Sequence, residues 1–214
     1  MDTELNPRGE GPLRVSGVVR SADRLSLRVQ FDNVGAETLY VLDSPWLIDI
    51  RTTSLVRDPE GCYRSLASRS GALRIILGEP PLPVGSTVTV RLTPLATPVA
   101  AAARHAIELS LPLPVAEYNP YFSADAASKY EDLSAPQLDV FTQYVIASRD
   151  LVVETPAWGG GKVLVRPVPS ATYAVASAPG PVPVRRRLDP FSRLVLPGEP
   201  PQASTSPFAG FGRL

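Results

Sequence analysis

The chain has 214 residues, of which 44% are hydrophobic, enough to bury the core of one large domain or of one domain with an appended segment. Its 21 basic residues balance its 21 acidic residues, so net charge does not attract it to nucleic acid or to an anionic membrane, and we expect neither as a partner. Cys62 is the single cysteine, which excludes an internal disulfide and a metal site built on paired cysteines.

The first residues, MDTELNPRGEGP, lack the basic start and apolar run that a signal peptide needs. No window reaches the roughly 20 apolar residues that cross a bilayer. We therefore predict a flexible N-terminus over residues 1–12 and a cytoplasmic protein. Lys129 and Lys162 are the only lysines among the 21 basic residues, and this preference for arginine, together with abundant Ala, Pro and Gly, indicates a bacterial source.

The clearest strand pattern is LSLRVQFD, in which Leu25, Leu27, Val29 and Phe31 alternate with polar residues. This alternation predicts a half-buried strand whose apolar residues lie in the core. The following NVGAET supplies Asn and Gly before the β-rich run LYVLD, so residues 24–43 are predicted to form an antiparallel hairpin.

Further strands are predicted at residues 13–20, 72–77, 138–147 and 162–168, and alternation predicts two more in TVTVRL and AIELSL. The run PVAAAARHA allows at most one or two turns of helix. Many short strands with little helical periodicity predict an all-β fold, an immunoglobulin-like antiparallel β-sandwich over residues 13–169. The Cys, Trp, Cys spacing of true immunoglobulin domains is absent, so this fold class carries no functional information.

Aromatic residues concentrate in EYNPYFSADAASKYEDL, residues 117–133, which we expect to form a loop with a short helix capped by Ser123 and ending at Asp132. Tyr118, Tyr121 and Phe122 in this loop are candidate partner-binding residues, because aromatic side chains are favoured at binding surfaces. The alternative, which we favour for the loop itself, is that they fold inward and close one end of the sandwich.

The character of the chain changes near residue 167, since residues 167–214 hold ten of the 24 prolines. Prolines at this density predict that residues 170–214 form a long Pro/Arg-rich extended tail, mostly unpaired within itself. Its candidate partner-binding residues are the rim charges Arg185, Arg186 and Arg187 and the apolar anchors Phe191, Leu194, Phe208 and Phe211. The alternative is that the tail packs on its own sandwich.

Motifs for catalysis, cofactors or metals are weak. His105 is the only histidine, and a catalytic pair with Cys62 is conceivable but rests on two isolated residues. WGGGK lacks the spacing of a phosphate-binding loop and is interpreted as a hairpin turn. The carboxylates of residues 117–139 match no calcium loop and are interpreted as a solvated face. We predict no catalytic residues, no cofactor and no metal.

These features together predict a non-catalytic protein–protein interaction or structural module, a subunit of a larger bacterial or phage-like assembly that docks through its tail. Its expected partners are another protein or further copies of itself. Two alternatives stay open: a loop-based binding or inhibitor module for a protease or receptor, and a hydrolase with a dispersed active site.

Overall fold

The structure, a computed structural model, describes residues 12–49, 51–67, 70–82, 92–122, 129–166 and 172–188, with the backbone alone described for residues 16–20. These ranges contain fourteen strands and no helix, so the chain is all-β. The strands are β1 (Leu13–Arg20), β2 (Arg24–Asp32), β3 (Leu39–Ser44), β4 (Trp46–Asp49), β5 (Ser54–Arg57), β6 (Tyr63–Leu66), β7 (Leu73–Leu77), β8 (Leu95–Val99), β9 (Arg104–Pro112), β10 (Val115–Ala116), β11 (Tyr130–Ile146), β12 (Val152–Glu154), β13 (Leu164–Arg166) and β14 (Thr172–Arg187).

Two sheets make up the body, consistent with a β-sandwich. The smaller has the order β1-β2-β9, and the larger has the order β10-β14-β11-β3-β8, with β7 pairing β11 and β6 pairing β7. Apolar side chains from both sheets form one core, in which Val29 and Phe31 of β2 share a cluster with Ile75, Val140 and Ala176 of the larger sheet. Two ribbons, β4–β5 and β12–β13, each pair as a separate two-stranded sheet.

The core prediction for LSLRVQFD is confirmed. Leu25, Val29 and Phe31 are fully buried and Leu27 is 2% exposed, while the residues between them are exposed or half-buried. The two-residue alternation places all four side chains on the inner face of the smaller sheet.

The predicted hairpin over residues 24–43 is wrong. β2 pairs with β1 and β9, whereas β3 pairs with β11 and β8, so NVGAET crosses from one sheet to the other. Asn33 holds this crossover: its side-chain amide donates to the Val99 and Ala100 carbonyls, and its Oδ1 accepts from the Gly35 amide. A turn-like composition therefore marks a connection between sheets here.

The sequence allows at most one or two turns of helix at residues 98–106 and predicts a short helix after Ser123, and the described residues of both segments contain no helix. Residues 98–106 belong to β8, a turn and β9, and the turn places Ala102 at φ 58°. Tyr130 to Asp132, predicted to end a helix, begin β11 instead, while residues 123–128 lie outside the described ranges. The larger sheet is also mixed, because β7 pairs β11 and β10 pairs β14 in parallel. Of TVTVRL, only Leu92 is described.

The predicted boundary at residue 170 is wrong for residues 172–187. They form β14, which pairs antiparallel with β11 over most of the length of that strand. Ala174, Ala176, Ala178, Val182 and Val184 bury their side chains in the common core. The Pro-rich segment is extended, as predicted, but at least this part of it belongs to the body; residues 189–214 lie outside the described ranges.

The prolines of β14 are accommodated at an edge and at a bulge, the two places where a sheet tolerates them. Pro183 faces away from β11, on the same side as the backbone of Arg185 and Arg187, whose carbonyl and amide bond to Glu117. Pro179 and Pro181 lie at the register shift of the β11–β14 ladder.

Gly180 is required at that register shift. A Cβ there would lie 2.4 Å from the Pro136 carbonyl oxygen and 2.5 Å from that of Ala135, a clash with backbone that a side-chain rotation cannot relieve. The bulge of β14 therefore crosses β11 at a distance that only glycine allows.

Candidate functional site

The structure brings together two segments that the sequence marked separately. We call them the aromatic–arginine surface, defined by Tyr118, Tyr121, Phe122, Arg185, Arg186 and Arg187. β10 pairs in parallel with the end of β14, and the Glu117 amide donates to the Arg185 carbonyl, so the aromatic loop begins beside the arginine run. The guanidinium of Arg187 lies over the Phe122 ring, 4.9 Å from its centroid. Phe122 and Arg187, which are 65 positions apart in sequence, thus share one edge of the larger sheet.

Tyr118 turns toward the body. Its hydroxyl donates to Asp58 Oδ2 at 2.8 Å, and its ring stacks on Tyr63 with centroids 6.3 Å apart. Arg64 lies over the same ring at 5.1 Å, and its backbone exchanges two hydrogen bonds with that of Tyr118. These contacts correspond to the inward, end-closing alternative for this residue.

Tyr121 also makes an internal bond, because its hydroxyl accepts a hydrogen bond from the Leu92 amide at 2.9 Å. The Asn119 side chain shapes the loop between the two tyrosines: its Oδ1 accepts from the Tyr121 amide and its Nδ2 donates to the Pro81 carbonyl. Tyr121 and Phe122 are both half-buried, so the loop leaves part of each ring accessible.

The arginine run has cross-strand partners on β11. Arg185 lies opposite Asp132 and donates to both of its carboxylate oxygens, at 2.8 and 3.2 Å, and Arg186 lies opposite Glu131 at 4.0 Å. The four side chains of these pairs are 45–61% exposed, so water screens the ion pairs. Glu131 and Asp132, two of the carboxylates interpreted as a solvated face, therefore pair with the arginines.

Glu117 fixes the surface to the rest of the sheet. Its Oε1 accepts from the Leu66 amide and its Oε2 from the Arg187 amide, both at 2.8 Å, so one carboxylate ties the end of β6 to the end of β14. Burial raises the pKa of Glu117 above its usual range, although the two backbone amides oppose this shift.

The tail anchors Phe191, Leu194, Phe208 and Phe211 lie outside the described residues. The last described residue is Leu188, whose amide donates to the Lys129 carbonyl. The last described residue therefore lies next to the aromatic–arginine surface.

A second polar group, which sequence reasoning missed, surrounds Asp43 at the end of β3. The Asp43 carboxylate accepts from His105 Nε2 at 2.6 Å, from Lys162 Nζ at 2.8 Å and from Thr97 Oγ1 at 3.0 Å. We call these four residues the polar centre. It ties β3 and β8 of the larger sheet to β9 of the smaller sheet and to the connection between β12 and β13.

The polar centre keeps Asp43 ionised. Burial by itself would raise the pKa of Asp43, but the hydrogen bond from His105 and the charge of Lys162 hold it below the usual 3.8. Asp43 is 6% exposed, and every oxygen of its carboxylate has a donor. Such an arrangement is a satisfied buried ion cluster, and no nucleophile is bonded to its histidine among the described residues.

Cys62 and His105 are not brought together. Cys62 is fully buried in the main core with its Sγ 3.9 Å from Arg64 Nη1, and burial raises the pKa of its thiol to about 11. His105 bonds Asp43 instead. The WGGGK run lies in the connection between the paired strands β12 and β13, where Gly160 and Gly161 have positive φ.

A groove of about 380 Å³ opens beside the polar centre. Residues 57–61 form one wall, residues 107–111 of β9 form the other, and Asp43 contributes to the lining. The Asp58 side chain, which accepts the Tyr118 hydroxyl, connects this groove to the aromatic–arginine surface.

The described residues contain neither a metal-binding cluster nor a membrane-spanning helix. Within those ranges, no three His, Cys, Asp or Glu side chains cluster in a way that would hold a metal ion. The same part of the chain contains no helix of the length and apolarity that a membrane span requires.

No protein-family model, characterised protein or solved structure matches the chain.

Proposed function

We propose that the chain is a non-catalytic protein–protein interaction module, a subunit of a larger bacterial or phage-like assembly, that docks through residues 189–214 and the adjoining aromatic–arginine surface. We also propose that its sandwich is immunoglobulin-like, since two sheets share one core. The observation that carries the functional proposal is the contact between Arg187 and Phe122, next to the last described residue, Leu188.

The chemistry of this surface suits a protein partner. Half-buried aromatic rings beside arginines supply contact area together with charge-assisted hydrogen bonds, the residue types enriched where proteins bind each other. Residues 189–214 add large apolar side chains, Phe191, Leu194, Phe208 and Phe211 among them, that a solvated spacer does not need.

The two alternatives receive less support. A loop-based inhibitor would present its tyrosines to the target, whereas the Tyr118 and Tyr121 hydroxyls bond within the molecule. A hydrolase would need a nucleophile near His105, and the imidazole instead completes the shell of Asp43.

Substitution of the surface tests the proposal. The variant Phe122→Ser/Arg187→Glu removes the ring and reverses the charge of the stacked pair, and we expect it to bind the partner at least about tenfold more weakly. The tagged full chain would capture partners, including untagged copies of itself, from an extract of its source cells. Binding by one purified partner would then be measured for each variant.

Arg14→Glu is the matched control, because Arg14 is an exposed strand arginine on the other sheet. It should bind as the unmodified chain does. Equal binding by the Phe122→Ser/Arg187→Glu variant, with its fold intact by circular dichroism, would contradict the role of this surface.

A further inference from the structure

β9 presents an unpaired edge in the part of the chain that the structure describes. It pairs with β2 along one side, and no described strand pairs along the other. The Leu113 amide donates to Asp23 and the Ala103 carbonyl accepts from Asn33, so odd-numbered backbone groups face β2. Backbone groups alternate along a strand, so those of Glu108 face away from β2.

The groove beside the polar centre runs along this edge. Five consecutive residues, 107–111, line it, and because their side chains alternate between the two faces of the sheet, the groove must follow the edge of the strand. The opposite wall, residues 57–61, leaves a space of about 380 Å³. An exposed strand edge next to a groove is the geometry used for strand addition by an extended peptide.

The side chains along the edge of β9 indicate which side chains an added strand should carry. On the outer face, Glu108 is 75% exposed, with its nearest cation, Arg28, 3.9 Å away. On the inner face, Ile107 is only half-buried. An added strand should therefore carry a cation on one face and apolar side chains on the other.

We propose that residues 191–196, FSRLVL, of a second copy of this chain add to the edge of β9 that no described strand pairs; this inference rests on the proposed function and names its partner. In a strand, Arg193 would lie on one face with Phe191 and Val195, and Leu194 and Leu196 on the other face with Ser192. With Arg193 opposite Glu108, the two leucines face the side of Ile107.

The outer side of β14 is a poorer acceptor. The outer side of β14 carries Pro183, which has no amide to donate, and Glu117 already bonds the backbone of Arg185 and Arg187. β9 combines a groove, a complementary charge and outward-facing amides that no described strand pairs, with the Ser110 carbonyl bonded to the Arg24 side chain at one end.

The short reach from the end of β14 favours a second copy over the same molecule. β14 ends in the larger sheet, whereas β9 belongs to the smaller sheet. Five residues from Leu188 to Arg193 span at most about 17 Å, so we assign the segment to a second copy. Reciprocal exchange of the segment between two copies makes a closed dimer.

Sedimentation velocity of the full-length chain and its variants tests this inference. We expect the unmodified chain to form dimers. Glu108→Pro removes an amide that faces away from β2, so it should leave the β2–β9 ladder intact and weaken dimerisation about tenfold or more. Glu108→Arg and Arg193→Glu should each weaken dimerisation, and the double variant Glu108→Arg/Arg193→Glu should restore it.

Glu154→Arg is the control, since Glu154 is an exposed carboxylate on a strand away from the groove, and it should dimerise normally. A chain that stays monomeric at about 100 µM, far above typical dissociation constants of specific dimers, would overturn the inference. So would unchanged dimerisation of Glu108→Pro. If a different purified protein is bound through the aromatic–arginine surface while the chain stays monomeric, the proposed function stands and this inference fails.

Discussion

We expect Phe31→Ala to lower the free energy of unfolding by about 3–5 kcal/mol. The ring is fully buried between the two sheets and meets the Tyr144 ring edge-on, with centroids 5.1 Å apart. Truncation to alanine removes that contact and leaves a cavity in a core to which both sheets contribute, and the strands around it cannot collapse without breaking their ladders. Urea unfolding followed by circular dichroism gives the value.

Val34→Ala is the matched control for Phe31→Ala. Val34 lies three residues further along the chain and is 89% exposed, so its truncation should change the free energy of unfolding by less than about 0.5 kcal/mol. A loss below about 1 kcal/mol for Phe31→Ala would show that the inner face of β2 is assigned incorrectly.

Asp43→Ala should lower the free energy of unfolding by about 3 kcal/mol, because it removes the one acceptor that three buried or half-buried donors share. His105 and Lys162 would keep their places between the strands without a counter-charge. Lys162 is 27% exposed, so water offsets part of its loss. Asp132→Ala, which breaks a largely exposed pair with Arg185, should cause no measurable change.

The contribution of Asp43 should also depend on pH in a definite direction. Its pKa in the folded chain lies below the usual 3.8, so its stabilisation is complete above that value and is lost as pH falls through the lower, folded pKa. The difference in unfolding free energy between the unmodified chain and Asp43→Asn should therefore shrink between about pH 5 and about pH 2. A difference that stays constant over this range would contradict the ionised polar centre.

The sequence alone predicted which side chains face the core in a strand where apolar and polar residues alternate. LSLRVQFD predicted the inner face of β2 residue by residue, because the pleat fixes side-chain direction whatever the neighbours are. The strand that pairs with β2 could not be predicted in this way, because a six-residue connection with Asn and Gly fits a hairpin and a crossover between sheets equally well. The bonds from Asn33 to Val99 and Ala100 decide between them, and they join residues 66 or more positions apart.

Proline density misled the interpretation of β14 for a related reason. A proline lacks a donor, but whether this matters depends on which side of the strand has a partner, and that is a property of the sheet. Pro183 faces the outer edge, and Gly180 with its flanking prolines forms the bulge. The sequence shows the residues but not the side on which β11 lies.

For the candidate site, the sequence likewise indicated some of the residues but not which of them lie close together. Composition picked out Tyr118, Phe122 and the arginine run as separate segments, and only β10–β14 pairing places them together. Nothing in the sequence indicated that Asp43 and Lys162 pair with each other. They are 119 residues apart, and each alone resembles an ordinary strand-end or turn residue.

The pairing of β14 extends the body beyond residue 169, at least to Arg187, and truncation of the chain tests this. A chain that ends at residue 169 loses the whole β11–β14 ladder and five buried core side chains, so it should not fold. A chain that ends at Leu188 keeps both, so it should unfold cooperatively with a free energy within about 1 kcal/mol of the full-length value.

Sedimentation velocity of the chain that ends at Leu188, run beside the full-length chain at the same concentrations, tests the central claim most directly. The account predicts a folded monomer that neither dimerises nor binds any partner captured by the full-length chain, because residues 189–214 carry the docking anchors. A truncated chain that is folded and still associates as the full-length chain does would contradict the account, and so would one that fails to fold.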